Sequence, residues 1–502
     1  MGIKGKKNVN FRQKALRDEN LVATFDDFIC LPGYTDFDFS EVDLSTNIGP
    51  YKFPMPIASA AMDSVTEDQM AISMALYGGL GVIHRNCPLD RQLEMVKKVK
   101  RARSYIIEDV ATVSPDVSIR ELEAKIEKMG ISGFVVVDAQ RKVIGMVTRR
   151  DLPIKLGFEG RVKDIMTSNP VVLPQNVSRE VALEKLYEIR KEKIPLVDAN
   201  GILTGLITRK DLKPDYPNSA QDNRGRLLCG VACSPNVPKN PADLSTLQEI
   251  GKLADLMFTD VAAFWKRVDI EGVRNLMSLL DSKFVVGNIG TYEAAEFLLT
   301  KADFPEDKFV GIKVGMGSGS ICTTTVQTGV GAPTLFATAE VADAINDYNP
   351  SIALISDGGF KYPGDLTKAF AFGADMIMSG HLFAGTTESP GYIDTIEGRK
   401  VKVYRGMGSA EARAVGSFSL DRYNKDSKKL TEGVSGYVPF VGSVKGVVDQ
   451  LVDGLKNGFI YAGVKNVANA YKIKVGRVTL AGIDEAKPHD IIRPGYGSSR
   501  QL

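Results

Sequence analysis

Eight short apolar runs, each ending in small or polar residues and separated by helix-spaced segments, predict an α/β protein built as a (βα)8 TIM barrel. The runs fall at residues 55–63, 79–84, 227–233, 256–260, 284–288, 309–314, 352–357 and 376–380. Two further observations agree. No GxGxxG follows the first run, as it would in an open dinucleotide-binding sheet. The βα alternation also breaks only once, between about residues 105 and 214, where a different pattern is inserted. At 502 residues the chain is too long for one ordinary core, and a barrel plus an insertion accounts for the excess.

Composition narrows the functional classes. Charged residues make up 25% and hydrophobic ones 44%, ordinary for a soluble globular protein. The 63 basic and 61 acidic side chains leave a net charge of +2, so neither nucleic acid nor an anionic membrane is an expected partner. No window approaches about 18 uninterrupted apolar residues, and the basic stretch 1–13 lacks the apolar centre of a signal peptide. Five cysteines form no CxxC pair, and the histidines are only His84, His381 and His489. That argues against a zinc site and for reduced thiols in a cytoplasmic protein.

In chain order, a polar arm and an irregular opening precede the first run. Thr66 and Glu67 then start a helix with alanine-rich periodicity to Leu76, and helical spacing from Asp90 to Lys100 follows the second run. This βαβα pattern with short strands is that of a parallel sheet covered by helices.

The insertion contains a repeat. Val137-Asp138 and residues 145–152 (GMVTRRDL) recur as Val197-Asp198 and 205–212 (GLITRKDL), each pair 60 residues apart (198 − 138 = 60; 211 − 151 = 60). Each copy carries a helical stretch (118–129; 178–191), two short strands and a closing Thr-Arg-x-Asp, ending at Asp151 and Asp211. One copy has too little apolar surface to stand alone, so the two are expected to pack as a pair. The repeat resembles a tandem pair of cystathionine-β-synthase (CBS) motifs, the Bateman module. That resemblance implies either binding of adenine or guanine nucleotides such as ATP or GTP, or a purely structural role.

Beyond Pro214 and Pro217 the alternation resumes. In a barrel of this kind catalytic groups gather at the C-terminal strand ends. Those ends carry Ser59, Met62, His84, Asp260, Asn288, residues 315–322, Asp357-Gly358-Gly359 and Ser379-Gly380-His381. The densest is the run 314–325, VGMGSGSICTTT. Its alternating glycines allow a sharp turn with N–H groups aimed at an anion, and Cys322 follows where a thiolate could meet a bound ligand. Alone, such a cysteine reads as a small buried residue; the polar strand ends around it favour a nucleophile. Asp357-Gly358-Gly359 suits a ribose contact plus close backbone approach to phosphate, and Gly380 with His381 falls where barrels bind phosphate. Past the last strand come Tyr404-Arg405-Gly406-Met407-Gly408-Ser409, Asp421-Arg422-Tyr423 and residues 431–436. The intervening stretch 417–430 is polar and reads as a mobile lid.

These motifs resemble the inosine monophosphate dehydrogenase / GMP reductase family through nearly the whole chain. The match is carried by residues 59–67 (SAAMDSVTE), Gly287-Asn288, 315–324, Asp357-Gly358-Gly359 and 404–409. The resemblance implies a barrel over residues 1–104 and 215–502 with the CBS module over 105–214. It implies oxidation of IMP to XMP with NAD⁺, a step of guanine nucleotide biosynthesis, through a covalent adduct between Cys322 and the purine that water hydrolyses. By the same resemblance Ser320, Gly358, Gly359 and Gly380 hold the phosphate and Asp357 the ribose. Met407, Gly408 and Glu432 hold the base, with His381 and Tyr404 in the same substrate site. Asp260, Asn288 and Gly315 face the cofactor. Arg422, paired with Tyr423, activates water with help from Thr324. The carbonyls of Gly317, Gly319 and Cys322 ligate a monovalent cation, usually K⁺, and the assembly is a homotetramer or octamer.

Two branches share the cysteine. A GMP reductase would instead deaminate GMP to IMP with NADPH. Asp421-Arg422-Tyr423, the long lid and the insertion favour the dehydrogenase, which is the primary expectation. Residues 326–331 (VQTGVG) and Asp260-Val261-Ala262 look like the reductase. Thr325 stands where an arginine is frequent, and His381 replaces a more usual Ser or Gly. Residues 263–266 (AFWK) lack a Ser- and Gly-rich cofactor loop, which leaves NAD against NADP open. A third reading, a nucleotide-sensing protein with a degenerate barrel, is opposed by the intact Cys322, Thr324, Asp357, Arg422 and Glu432.

Overall fold

The computed structural model describes residues 10–11, 21–102, 106–107, 110–129, 133–152, 160–177, 179–209, 216–415 and 430–487. It forms two compact units: residues 1–100, 218–220 and 227–502, and residues 101–217 with 221–226.

The first unit is built on a closed parallel barrel. Its strands are β1 (Ile57–Ser59), β2 (Leu80–Ile83), β3 (Gly230–Cys233), β4 (Leu256–Thr259), β5 (Lys283–Ile289), β6 (Phe309–Val314), β7 (Ala353–Asp357) and β8 (Met376–Ser379). Every apolar run picked out in the sequence supplies one of them, though several strands are shorter than their runs. In the run 227–233, for example, Leu228 donates its N–H to Ala220 (2.9 Å), and the barrel ladder begins only at Gly230.

Strand alternation sorts the side chains into two cores. Leu80, Val82, Leu256, Phe258, Ala353, Ile355, Met376 and Met378 fill the barrel, while Ile83, Met257, Ile312 and Leu354 face the helices. A hairpin of Thr46–Ile48 and Tyr51–Phe53 brings Ile48 and Phe53 into the inner cluster beside Val310, at the start of β6. It therefore closes the end of the barrel opposite the strand C-termini. Its turn needs Gly49 (φ 55°), because a Cβ there would come 2.8 Å from Val310.

The covering helices are α1 (Asp68–Leu76), α2 (Leu89–Ala102), α3 (Pro241–Leu253), α4 (Arg267–Leu279), α5 (Tyr292–Thr300), α6 (Thr334–Tyr348), α7 (Pro363–Ala371) and α8 (Val444–Ala462). Their starts follow capping chemistry: Asn240 caps α3 with Pro241 in its first turn, and Thr291 caps α5. In α1 the helix begins at Asp68 and not at Thr66. The Thr66 hydroxyl is committed to Ala60 O (2.7 Å) and Ser59 Oγ (2.9 Å), so it pins the loop to β1.

Between β8 and α8 the chain makes an antiparallel sheet of β9 (Ile393–Ile396), β10 (Arg399–Arg405) and β11 (Ser435–Pro439). The strands take in the two ends of the polar segment, Tyr404 with Arg405 and Ser435 with Gly436, while residues 417–429 of the stretch read as a lid lie outside the described residues. Lys402, 1% exposed, ties the sheet down by donating to the carbonyls of Thr386 (3.0 Å) and Ser389 (2.6 Å). Burial pushes its pKa below the usual lysine value.

In the second unit the two sequence copies fold alike. Strands Gly133–Val137 and Val143–Thr148 recur as Lys193–Val197 and Leu203–Thr208, again 60 residues on (193 − 133 = 60). Each hairpin is covered by its own helix, Ile119–Met129 or Arg179–Glu188, through Leu122 and Ile126 in one copy and Ala182 and Leu186 in the other. The copies are interlocked. Ile106–Ile107, heading the first copy, pairs with Leu203–Thr208 of the second, and Thr167–Ser168 pairs with Val143–Thr148 of the first. Val135, Leu203 and Leu206 share one apolar cluster between them. Ser178, Asp211 and Leu212 lie outside the described residues. Among the described residues no helix is long and apolar enough to cross a membrane.

Candidate functional site

A cavity open to solvent sits at the C-terminal mouth of the barrel and takes lining residues from the ends of all eight strands. Cys322 stands on its wall, half-buried. The loop carrying it is shaped by glycines at two points. Gly315 (φ 116°) passes so close to β7 that a Cβ would meet Asp357 O at 2.6 Å. Gly317 (φ 81°) would meet Thr325 Oγ1 at 2.0 Å. Thr325 is exposed, but its hydroxyl lies against Gly317 and Gly331, where a Cβ would come 2.0 and 2.3 Å from it.

The loop closes through hydrogen bonds between Met316 and Ala332 in both directions (2.8 and 2.9 Å) and from Cys322 N to Gly319 O (3.0 Å). It is then stitched to the segment leading into β11. Thr323 N donates to Glu432 O (3.3 Å) and Val434 N to Ile321 O (3.0 Å), bracketing a bridge between Cys322 and Gly433. The Cys322 thiol donates to Thr324 Oγ1 at 3.2 Å and lies 3.9 Å from Glu432 O. A soft nucleophile beside a hydroxyl, open to a cavity, is equipped for covalent attack on a bound electrophile.

Asp357, at the end of β7, is held from behind. Its Oδ2 accepts from Lys313 Nζ (2.8 Å) and from Asn288 Nδ2 (3.0 Å). The Asn288 amide also donates to Gly315 O (2.7 Å), and its Oδ1 accepts from Lys313. Asn288 lines the cavity, yet its side chain works as a strut for Asp357 and the cysteine loop. Gly358 and Gly359 (φ 81° and 80°) follow. The Gly358 N–H is committed to Met378 O (2.9 Å), so its contribution toward an anion is its bare Cα, with open space around it. Across the mouth, Ser320 Oγ and His381 Nδ1 are 3.0 Å apart, and the His381 ring leans on Tyr404 with centroids 5.9 Å apart. Gly380 lets Met62 and Tyr404 approach closely: a Cβ there would lie 2.6 Å from Met62 Sδ and 3.0 Å from the Tyr404 hydroxyl.

On the opposite side Asp260 is locked to Arg85. Arg85 Nε is 3.2 Å from Asp260 Oδ2 and its Nη2 donates to Asp260 O (2.8 Å), each side chain only 5% exposed. Next to Arg85, His84 is bonded to Glu67 (3.3 Å), and this bond holds the Glu67 carboxyl below its ordinary 4.5 against the opposing effect of burial.

The fold brings Cys322, Thr324, Ser320, Asp357, Gly358, Gly359, Gly380, His381, Tyr404, Met407, Glu432, Asp260, Asn288, Gly315, Gly317 and Gly319 to this one cavity. Gly408 stands behind its wall, where its carbonyl accepts from Glu432 N (3.2 Å). Arg422 and Tyr423 lie outside the described residues. Sequence reading missed Lys313 and Arg85. The available signal for Lys313 was a cation in an otherwise apolar strand, one residue before the loop, which burial obliges to find an anionic partner. Among the described residues no group of three or more His, Cys, Asp or Glu is disposed to hold a metal ion.

Residues 22–489 match the family described as IMP dehydrogenase / GMP reductase domain. The chain is 43% identical to an inosine-5′-monophosphate dehydrogenase of Korarchaeum cryptofilum (93% of this chain, 96% of that one). It is 41% identical to one of Methanocaldococcus jannaschii (95% and 97%). Its fold is similar to a GMP reductase of Trypanosoma brucei in complex with guanosine 5′-monophosphate, with a TM-score of 0.77, 31% identity, and 95% and 99% of the two chains covered. Matched over residues 22–489 and more than 40% identical to two such dehydrogenases over nearly its whole length, the chain belongs to the IMP dehydrogenase / GMP reductase family.

Proposed function

We propose that this chain oxidises IMP to XMP with NAD⁺, through a covalent bond between Cys322 and C2 of the purine, as a step of guanine nucleotide biosynthesis. What carries the proposal is Cys322 sharing one cavity with Asp357, Met407 and Glu432, in a chain whose curated relatives are dehydrogenases. The thiol, beside the Thr324 hydroxyl, releases its proton to solvent and the sulfur adds to C2. Asp357, oriented by Lys313 and Asn288, takes the ribose hydroxyls with the oxygen those residues leave open. Gly358, Gly359 and Gly380 admit the phosphate close to the backbone, where Ser320 and His381 bond its oxygens. Met407 and Glu432 face the base, Gly408 supporting Glu432.

When bound, NAD⁺ accepts the hydride that leaves C2. The cavity opens to solvent and draws its wall from both sides of the barrel mouth, with Cys322 between the Asp357 side and the Asp260 side. Asp260, Asn288 and Gly315 form the wall on that side. Water then takes the place of sulfur at C2, releasing XMP and the free thiol; Arg422 activates it, with Tyr423 beside it and Thr324 assisting. The carbonyls of Gly317, Gly319 and Cys322 hold K⁺, for which uncharged main-chain oxygens are suited. The barrel comprises residues 1–104 and 215–502. Residues 105–214 form a tandem CBS (Bateman) module that takes ATP or GTP, and the enzyme is a cytoplasmic homotetramer or octamer. Heat on titration with either nucleotide tests the module, and its absence with both leaves a structural role.

The fold similarity to a GMP reductase, together with Asp260-Val261-Ala262 and residues 326–331, supports the second reading, NADPH-dependent deamination of GMP to IMP. A paired assay on the purified protein decides: IMP with NAD⁺ and potassium, against GMP with NADPH. Turnover of the second pair alone overturns the dehydrogenase, and turnover of neither favours a nucleotide sensor.

A further inference from the structure

We infer that Asp63 and Arg405 are positioning residues, whose ion pair sets where the base-facing segment 406–408 stands relative to Cys322. The inference rests on the reading of the cavity as a purine-nucleotide site. The two residues are 342 apart in sequence. Asp63 belongs to the loop after β1, and Arg405 is the last residue of β10. Arg405 Nε donates to Asp63 Oδ1 (3.0 Å) and its Nη2 to Oδ2 (2.8 Å). Two parallel bonds from a planar fork fix orientation as well as distance, which a single ammonium contact would not. Neither side chain lines the cavity, but their neighbours Met62, Tyr404, Gly406 and Met407 all do.

The pair is itself held. Asn86, 2% exposed and in the loop after β2, donates to Asp63 Oδ2 (2.7 Å) and to Ala412 O (3.0 Å). Ser64 Oγ accepts from the Arg405 backbone N–H (3.2 Å). The segment 405–412 is thereby registered at both ends to the first two strand ends of the barrel. From there the registration reaches the nucleophile through main-chain bonds. Gly406 N donates to Val434 O (2.9 Å), Glu432 N to Gly408 O (3.2 Å), and Val434 N to Ile321 O (3.0 Å), one residue from Cys322. A shift at Arg405 is passed to the floor under the base and to the cysteine loop together. Stability alone does not call for an ion pair here, because apolar residues of similar volume commonly serve a partly buried site as well.

The test compares the full-length parent with Arg405→Lys, which keeps the charge and loses the fork, with Asp63→Asn, and with the double variant. Readouts are kcat and KM for IMP with NAD⁺ and for GMP with NADPH, IMP and GMP affinity by calorimetry, and the thermal midpoint. Expected for Arg405→Lys is a fall in kcat of about 10–100-fold, as small misplacements of reacting groups produce. Nucleotide affinity and thermal midpoint should stay near the parent's, since the phosphate and ribose contacts come from β6, β7 and β8. The double variant should lose less than the product of the single losses. A kcat for Arg405→Lys within twofold of the parent overturns the inference. So does a loss matched by equal losses of affinity and thermal stability, which would make the pair merely structural. A parent inactive on both substrate pairs overturns instead the reading on which the inference rests.

Discussion

Lys313 Nζ lies 2.8 Å from Asp357 Oδ2, joining two adjacent barrel strands at the wall of the cavity. The two side chains are 7% and 18% exposed, so this is a shielded charge pair and not a surface contact. Replacing Lys313 with Met would leave the Asp357 carboxylate without its counter-charge, at a cost of about 1–3 kcal/mol. The expected outcome is a lower urea midpoint and a nucleotide affinity weakened by about tenfold or more. Calorimetry showing parent-like affinity would refute the role given to Lys313.

Cys322 should be separable from binding. Cys322→Ala is expected to abolish turnover and any covalent adduct seen by intact mass, with nucleotide affinity nearly unchanged. Its sulfur bonds Thr324 and approaches Glu432 O, while the shape of the loop is set by main-chain bonds. Residual turnover at a tenth of the parent rate would remove the nucleophile from the mechanism.

Gly317→Ala introduces a Cβ 2.0 Å from Thr325 Oγ1 at a backbone φ of 81°. The left-handed conformation alone costs about 1–2 kcal/mol for an alanine. Displacing the cysteine loop should lower kcat by about 100-fold. Adding Thr325→Ala removes the clashing hydroxyl and is expected to recover part of that loss, leaving the conformational cost. No recovery in the double variant would mean that the contact does not shape the loop.

Glu67 provides an acid-range signature. Its pKa is held below 4.5 chiefly by the hydrogen bond from His84, so the folded state favours the carboxylate more than the unfolded chain does. That stabilisation is complete above 4.5 and is lost as pH falls through the lowered value. Glu67→Gln should therefore be less stable than the parent at neutral pH, with the gap narrowing below pH 4.5. A gap constant across that range in thermal midpoints would exclude the linkage.

The barrel was legible in the sequence because its signal is local. Each strand is a contiguous apolar run, and each is closed by residues such as Asn288 or Asp357 that an apolar run would not otherwise contain. The cysteine loop was legible for the same reason, since its glycines and Cys322 are neighbours. What stayed hidden are partnerships across the chain. Lys313 finds Asp357 44 residues away, Arg85 finds Asp260 175 away, and Arg405 finds Asp63 342 away. In a sequence each of these is a lone charge, read most simply as a solvated one. Asn288 shows the complementary limit: its place at the cavity was readable, while its work as a strut depended on geometry that only the closed barrel supplies.

The exchanged edge strands of the second unit carry a consequence for how that unit can be cut. Deleting either copy would strip an outer strand from the sheet left behind, exposing an unpaired ladder beside Val143–Thr148 or Leu203–Thr208. A single nick between the copies would not free two halves, because each half still grips the other by a strand. Duplication here is a ratchet: once the copies traded edges, the pair became the smallest piece that can be gained, lost or transplanted intact.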